Sequence, residues 1–174
     1  MFELGVIPGP LQTPQYAAAL AAADVQHGLI TSEQAEERVA FLETRQRRLL
    51  DSPDAPLVYA VMDESCLRRV VGGPEVMRGQ FDHLERLAAR PKITLQVVPF
   101  SMGELRPLLL PVVLLTMRDR SVVGYTESAS RGYLERDDDL IRAWERAYDQ
   151  LQVGALHPAA SLNLISAVRK ELLP

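Results

Sequence analysis

The spacing of apolar residues along the chain predicts five main helices. Thr13 followed by Pro14 is typical of an N-cap and first turn, and this helix should end near Gly28. A T-x-x-Q capping box at Thr31 begins a second helix over residues 32–50. Pro74 opens a third helix, whose apolar residues recur at intervals of three and four. Two further apolar stripes predict the fourth and fifth helices within residues 137–173.

Short, continuous apolar runs predict the strands. They cover residues 57–62, 93–100, 111–117 and 121–127, and "GYLE" at 132–135 is either an edge strand or a loop. The order strand, helix, strand across residues 57–100 indicates a βαβ unit with parallel strands. The short polar turn "RDRS" predicts an antiparallel hairpin. The expected fold is therefore α/β (mixed α+β), with a four- to five-stranded mixed sheet covered by helices.

The chain shows no interdomain linker, and residues 1–174 are predicted to form a single domain. Its parts are a proline-rich leading segment (1–13), two N-terminal helices (14–50), a sheet core (56–135) and two C-terminal helices (137–173). The leading segment carries little charge. We therefore expect it to pack on the body of the protein, with Val6, Ile7 and Leu11 buried.

The amino-acid composition limits the classes of function that we expect for this chain. The 174 residues are 47% hydrophobic, which is typical of a globular chain with a sizeable core. The net charge of −4 gives this domain alone no electrostatic reason to bind nucleic acid. No secretory signal or membrane-length apolar run is present, and the single cysteine, Cys66, suits a reducing compartment. We expect a cytoplasmic location and no membrane contact.

The common catalytic and cofactor motifs are absent from the sequence. There is no phosphate-binding glycine loop, no nucleophile elbow and no zinc-protease motif. The three histidines, His27, His83 and His157, fall on separate elements without ligand spacing, and His157 beside Pro158 is most simply a helix cap. The sequence thus predicts no cofactor, no metal site and no assignable catalytic residue.

The most informative carboxylates follow a buried strand. Asp63 and Glu64 come directly after residues 57–62, and the carboxyl ends of parallel strands form the ligand crevices of open α/β sheets. Glu127 ends another strand and reaches the same edge if the strand order allows. Such carboxylates serve as an acid and a base, or bind a cationic ligand.

Structural roles compete with this interpretation. Glu64 is placed to cap the short turn at 65–70, and Asp63 is placed to pair with Arg68 or Arg69. Trp144 and Tyr148 belong either to the core or to the roof of a small-molecule pocket. The candidate ligand-binding set is Asp63, Glu64, Arg68, Tyr125, Glu127 and Trp144. Cys66 is expected to be an inert, buried thiol.

Several stretches together resemble a known family. "VIPGPLQTPQYAAAL", the segment from "RQRRLL" through "DESCLRRVVGGPEVMRGQFDHLERLAARPKITLQVVPF", and the end "YLERDDDLIRAWERAYDQL" are similar to the C-terminal domain of unknown function of actinobacterial XRE-type helix-turn-helix regulators. In that family the domain follows a DNA-binding domain and is thought to sense a ligand or a small partner protein. The resemblance covers nearly the whole chain and supplies no catalytic residues.

The chain departs from the family pattern at several points. The helix-turn-helix segment is missing, Pro10 and Ala18 replace a leucine and an arginine, and Gly124 interrupts a strand. We expect one of two explanations for the missing domain. Either it was removed experimentally, or the chain descends from a regulator that lost its DNA-binding domain during evolution.

Two functions follow from these expectations. The first is a non-catalytic regulatory domain that binds a small-molecule effector or a small partner protein, with a homodimer left open. The alternative is an enzyme on the same fold, such as a cyclase or isomerase acting on a hydrophobic metabolite in natural-product biosynthesis. Such an enzyme needs chiefly a shaped apolar pocket, and the apolar residues at 108–113 suit either a pocket or a packed strand.

Overall fold

A computed structural model describes residues 1–127 and 132–173. The strands are β1 (Phe2–Glu3), β2 (Val58–Asp63), β3 (Ile93–Val98), β4 (Val113–Thr116), β5 (Val122–Glu127) and β6 (Gly132–Glu135). The helices are α1 (Pro14–Gln26), α2 (Ser32–Gln46), α3 (Ser65–Arg68), α4 (Pro74–Ala88), α5 (Asp138–Gly154) and α6 (Pro158–Leu172). Within these ranges no helix is both long enough and apolar enough to cross a membrane.

The helix caps are formed by the residues that the sequence predicts. The Thr13 hydroxyl accepts from the backbone N–H of Tyr16, and Thr31 and Gln34 form the reciprocal capping box. His157 caps α6 through its ring nitrogen. The second helix ends earlier than predicted, because a π-helical turn over Arg47–Asp51 replaces its last residues.

The parallel strands confirm the predicted βαβ unit. β2 and β3 pair in parallel from Val58 with Ile93 to Asp63 with Val98, and α4 connects them. On the other edge of β2, β1 pairs in parallel with Val61 and Met62. β1 was not predicted, because a two-residue strand is too short to show a period in the sequence.

The predicted hairpin is also present. β4 pairs antiparallel with β5, and β5 pairs antiparallel with β6, so "GYLE" is an edge strand. The prediction of one mixed sheet with four to five strands is corrected to two three-stranded sheets, one parallel and one antiparallel. Within the residues that the structure describes, a single bridge joins them: Phe2 donates to the Val112 carbonyl at 2.8 Å, and Val112 donates back to the Phe2 carbonyl at 3.1 Å.

The two faces of the parallel sheet bury different cores. Val58, Ala60 and Met62 point to a larger core with α1, α4 and α6. Val61 points to the opposite face, into a smaller core shared with Phe2 and α5. This alternation is the ordinary consequence of strand geometry, and it explains why β2 is apolar from Val58 to Met62.

Buried amide side chains fix the proline-rich leading segment. Gln80 is fully buried; its amide nitrogen donates to the Leu11 carbonyl and its oxygen accepts from the Thr13 N–H, both at 2.7 Å. Gln12 donates to the Ile7 carbonyl in the same way. Ile7 and Leu11 are fully buried, as predicted, while Val6 is half-buried.

Gly124 is required by close packing. A Cβ at this position would lie 2.6 Å from the indole ring of Trp144, which is shorter than any normal contact. Gly124 is also the buried residue of β5. The glycine that interrupts the predicted strand therefore provides the space in which α5 approaches the antiparallel sheet.

We expect Gly124→Ala to lower the free energy of unfolding by about 1–3 kcal/mol, because the added methyl group displaces Trp144. Gly79→Ala is the matched control: Gly79 is exposed within α4, with open space around a Cβ. It should raise the stability by about 0.5–1 kcal/mol. Denaturant unfolding of the two variants measures both changes. A loss of stability in both, or in neither, contradicts this account of Gly124.

Candidate functional site

Asp63, the last residue of β2, forms an ion pair within the protein. One carboxylate oxygen accepts from the guanidinium of Arg106 at 2.6 Å, and the other accepts from the backbone N–H of Ser65 at 3.0 Å. The Asp63 side chain is 9% exposed. The expected pairing with Arg68 or Arg69 is therefore wrong, and the partner comes from a loop 43 residues farther along the chain.

Glu64 is also held within the protein. It accepts from the Arg68 guanidinium at 2.6 Å and from the backbone N–H of Phe100 at 2.9 Å. Arg68 makes a second ion pair, at 2.7 Å, with Glu171 near the end of α6. Glu64 occupies the N-cap position of α3 but makes no side-chain cap, so the capping role considered above is wrong. Its carboxylate instead connects α3 to the backbone at Phe100, and Arg68 extends the connection to α6.

A carboxyl that the sequence did not single out lies at the end of β1. Burial, and after it the negative charge of Glu127, raise the pKa of Glu3 to about 7. Glu127 ends β5, so the bridge between the sheets brings the ends of β1 and β5 into the same region. The edge therefore contains a carboxyl group that changes charge near neutral pH.

The Cys66 thiol lies beside this carboxyl group. Its sulfur is 3.5 Å from the carbonyl oxygen of Glu3, to which it donates. Burial raises the pKa of Cys66 to about 12, and the nearby charges of Glu3 and Asp63 act in the same direction. The thiol is thus protonated at neutral pH, as expected for an inert cysteine.

Tyr125 and Trp144, the aromatic candidates, lie in different surroundings. The Tyr125 hydroxyl donates to the Glu127 carboxylate, and its ring covers Gly132 of β6. Trp144 is half-buried and packs on Gly124 and the smaller core, which is one of the two roles foreseen for it. The structure therefore brings Tyr125 and Glu127 together, and it places Trp144 apart from Asp63, Glu64 and Arg68.

An open cleft lies at the opposite end of β2, where that strand begins. Its volume is about 960 Å³. One wall is formed by residues 57–59 and 113–117, which include the exposed side chains of Leu57, Tyr59, Leu115 and Met117. The other wall is a charged stripe on α5, made of Arg142, Glu145, Arg146 and Asp149. An apolar surface facing mixed charges is suited to an amphipathic ligand.

Tyr148 supplies the buried polar group of the cleft. Its hydroxyl donates to the Tyr59 carbonyl at 2.9 Å, and the backbone nitrogen of Met1 donates to the same oxygen at 2.7 Å. Burial raises the pKa of Tyr148, so the phenol remains protonated. The Tyr148 hydroxyl is therefore a neutral hydrogen-bonding group in the lining of the cleft.

The six candidate residues do not line this cleft. The sequence pointed to the carboxyl ends of the parallel strands, whereas the cleft lies at their amino ends. The available signal was the stripe at residues 142, 145, 146 and 149, whose i, i+3, i+4, i+7 spacing places four charges on one side of α5. In residues 1–127 and 132–173, no group of three or more His, Cys, Asp or Glu residues is arranged to hold a metal ion.

A comparison with known protein families assigns the chain to one of them. The model of a family described as a domain of unknown function, DUF5753, matches residues 1–167, and the protein belongs to this family. No curated protein and no solved structure matches the chain. The family's description names no activity, so any function must be argued from the geometry above.

We expect Glu64→Gln to destabilise the fold more than Glu127→Gln. A glutamine at position 64 cannot accept from both Arg68 and Phe100, because one of its two polar atoms is itself a donor. The expected loss in the free energy of unfolding is about 1–3 kcal/mol. Glu127 is exposed, and its replacement should change stability by less than about 0.5 kcal/mol. Equal losses in denaturant unfolding at neutral pH would contradict a structural role specific to Glu64.

We expect Glu3 to contribute a stability that is lost as pH rises from about 4.5 to about 7, the ordinary and folded pKa values of its carboxyl group. Burial lowers the pKa of the Met1 amine to about 5, which acts in the opposite direction, so the difference between wild type and variant isolates Glu3. In this window the folded state holds a proton that the unfolded state has released, so raising the pH favours unfolding. The contribution of Glu3 is roughly 2–3 kcal/mol. Glu3→Gln should remove it, which unfolding curves across this pH range can measure. If the wild-type and variant curves remain parallel, Glu3 does not titrate in this way.

Proposed function

We propose that this chain is a non-catalytic binding domain of a helix-turn-helix transcriptional regulator. The cleft receives the effector or partner. The observation that carries the proposal is the geometry of the cleft: about 960 Å³, with an apolar wall from β2 and β4 and a charged wall from α5. A surface of this kind binds a partly apolar molecule and orients it through a few polar groups.

The carboxyl edge of the parallel sheet supports a binding role over a catalytic one. Asp63 is committed to Arg106, and Glu64 is committed to Arg68 and Phe100. An acid or base must be free to reach a substrate proton, and these two carboxylates are already engaged. The raised pKa of Cys66, about 12, argues against a thiolate nucleophile.

The regulatory part of the proposal rests on the resemblance of the leading, middle and terminal stretches to regulators of the XRE type. The net charge of −4 fits a division of labour in which another domain contacts DNA. In such an arrangement the occupied cleft alters the regulator's affinity for its operator through a coupling free energy between the two sites.

Binding in the cleft can be tested with anilinonaphthalene sulfonate, a dye that joins an apolar ring system to an anionic group. We expect its fluorescence to rise on mixing with the chain, because the ring contacts β4 while the sulfonate meets Arg142 or Arg146. Leu115→Asp, on the apolar wall, should weaken dye binding at least about tenfold. Leu109→Asp is the matched control, since Leu109 is 74% exposed and lies outside the cleft.

Equal binding by both variants would show that the dye does not use the cleft. The regulatory role is tested separately, on the complete product of the native gene. We expect that product to bind its own promoter through a helix-turn-helix domain. A product that starts at Met1 and is encoded among biosynthetic enzymes would contradict this role and favour the enzyme.

A further inference from the structure

One side of α2 is left uncovered by the fold. α2 lies wholly within the described residues, and none of its 15 residues is buried. The helix is held to α1 by the ion pair of Arg38 with Asp24, at 2.9 Å, and to the leading segment by the Gln46 amide, which donates to the Gly9 carbonyl at 3.0 Å. In the middle of the opposite side, Phe41 is 64% exposed. Phenylalanine is among the residue types that are most often buried, so this side of α2 is a candidate contact surface.

The residues around Phe41 form a stripe along this side. They recur at intervals of three and four, which places them on one face of a helix. This outer stripe consists of Gln34, Glu37, Phe41, Thr44, Arg45 and Arg48. Beside Phe41 the side chains are small, since the neighbours are Ala40 and Thr44. The Thr44 hydroxyl donates to the Ala40 carbonyl at 3.0 Å, so it needs no outside partner. A second helix can therefore approach the stripe closely at its centre.

The charge of the helix changes sign at Phe41. Three exposed glutamates precede it and three exposed arginines follow it: Glu33, Glu36, Glu37, Arg45, Arg47 and Arg48. This order is complementary to the same helix running in the opposite direction. When two copies lie antiparallel with Phe41 at the centre, Glu37 of each copy faces Arg45 of the other, because both residues are four positions from Phe41. Glu43 interrupts the order, but it is two residues from Phe41 and lies on a different side of the helix.

We propose that the outer stripe of α2 binds the outer stripe of a second copy of this chain, with the two helices antiparallel about a two-fold axis at Phe41. A two-fold axis repeats each contact, so a single self-complementary surface supplies both sides of the interface. A nucleic acid or an anionic membrane would instead require positive charge along the whole stripe. The charge order also suits the dipole of α2 itself, but that role does not require an exposed phenylalanine between the two halves.

The size of this contact predicts a weak dimer. A helix of 15 residues is about 22 Å long. One pair of such helices buries less than the roughly 1,600 Å² of a standard protein interface, so we expect a dissociation constant in the micromolar range. Phe41 supplies the apolar centre of the interface, and Arg45, which lies 5.8 Å from the centroid of the Phe41 ring, borders it. An aromatic centre with charged groups at the rim is the usual composition of a specific interface.

Charge reversal tests the arrangement by sedimentation velocity of the complete chain at micromolar concentrations, in about 50 mM salt, where ion pairs are little screened. We expect the wild type to dimerise. Glu37→Arg and Arg45→Glu each place like charges opposite one another, and each should raise the dissociation constant at least about tenfold. An equimolar mixture of these two variants should associate again, because every arginine then faces a glutamate. Glu43→Arg is the matched control: it makes the same change of charge on the same helix, outside the outer stripe, and should leave the dimer intact.

Three outcomes would overturn the proposal. A wild-type chain that remains monomeric at these concentrations has no such interface. A dimer that persists unchanged in both charge-reversal variants, or that is lost equally in Glu43→Arg, does not use the outer stripe. Two monomeric variants that do not associate when mixed show that positions 37 and 45 do not meet. Phe41→Ser provides a second measurement without a change of charge, and it should also raise the dissociation constant about tenfold. Far-UV circular dichroism should be the same for all variants, since the substituted side chains are exposed.

Discussion

The pairing of Phe2 on both of its edges is the interaction on which the rest of the structure depends. Phe2 is fully buried, its strand pairs with the second half of β2, and its backbone N–H and C=O bond to Val112. These two bonds are the backbone connection between the parallel and antiparallel sheets. They also hold β2 and the residue before β4, two of the strands that line the cleft, on either side of β1. A two-residue strand thus links the two sheets.

The polar groups at the two ends of β2 have different roles. At the carboxyl end, Asp63 and Glu64 bond to groups from the loop and turn around them, which holds these segments against the sheet. Desolvating a carboxylate is costly, so a buried one is retained where it is fully bonded. At the amino end, the Tyr59 carbonyl accepts from the Tyr148 hydroxyl and the Met1 nitrogen beside the open cleft. The bonded carboxylates therefore lie at one end of β2, and the open volume lies at the other.

The leading segment shows how prolines near a core are accommodated. Pro8 and Pro10 are buried and have no N–H, and this stretch forms only a short 3₁₀ turn over Gly9–Leu11. Side-chain amides bond further carbonyls: Gln80 reaches Leu11, and Gln46 reaches Gly9 and Gln12. A buried carbonyl without a partner costs free energy, and these glutamines remove that cost. The segment is consequently an integral part of the fold.

The sequence by itself determined the elements whose signals are local. The caps at Thr13, Thr31 and His157, the βαβ unit and the hairpin follow from residue spacing, because a cap or a turn involves neighbours along the chain. The same local patterns indicated that Cys66 is inert and that the leading segment is buried. They could not give the partners of the carboxylates, since Arg106 meets Asp63 only after β2 and a distant loop have packed together.

Only the tertiary structure decided the strand β1, the raised pKa of Glu3 and the position of the cleft. Each arises from groups far apart in sequence: Phe2 with Val112, Glu3 with Glu127, and β2 with β4 and α5. A two-residue strand has no period to detect, and burial of one carboxyl depends on everything packed around it. The cleft is lined by β2, β4 and α5, which are far apart in sequence, so its position appears only when these elements are packed together.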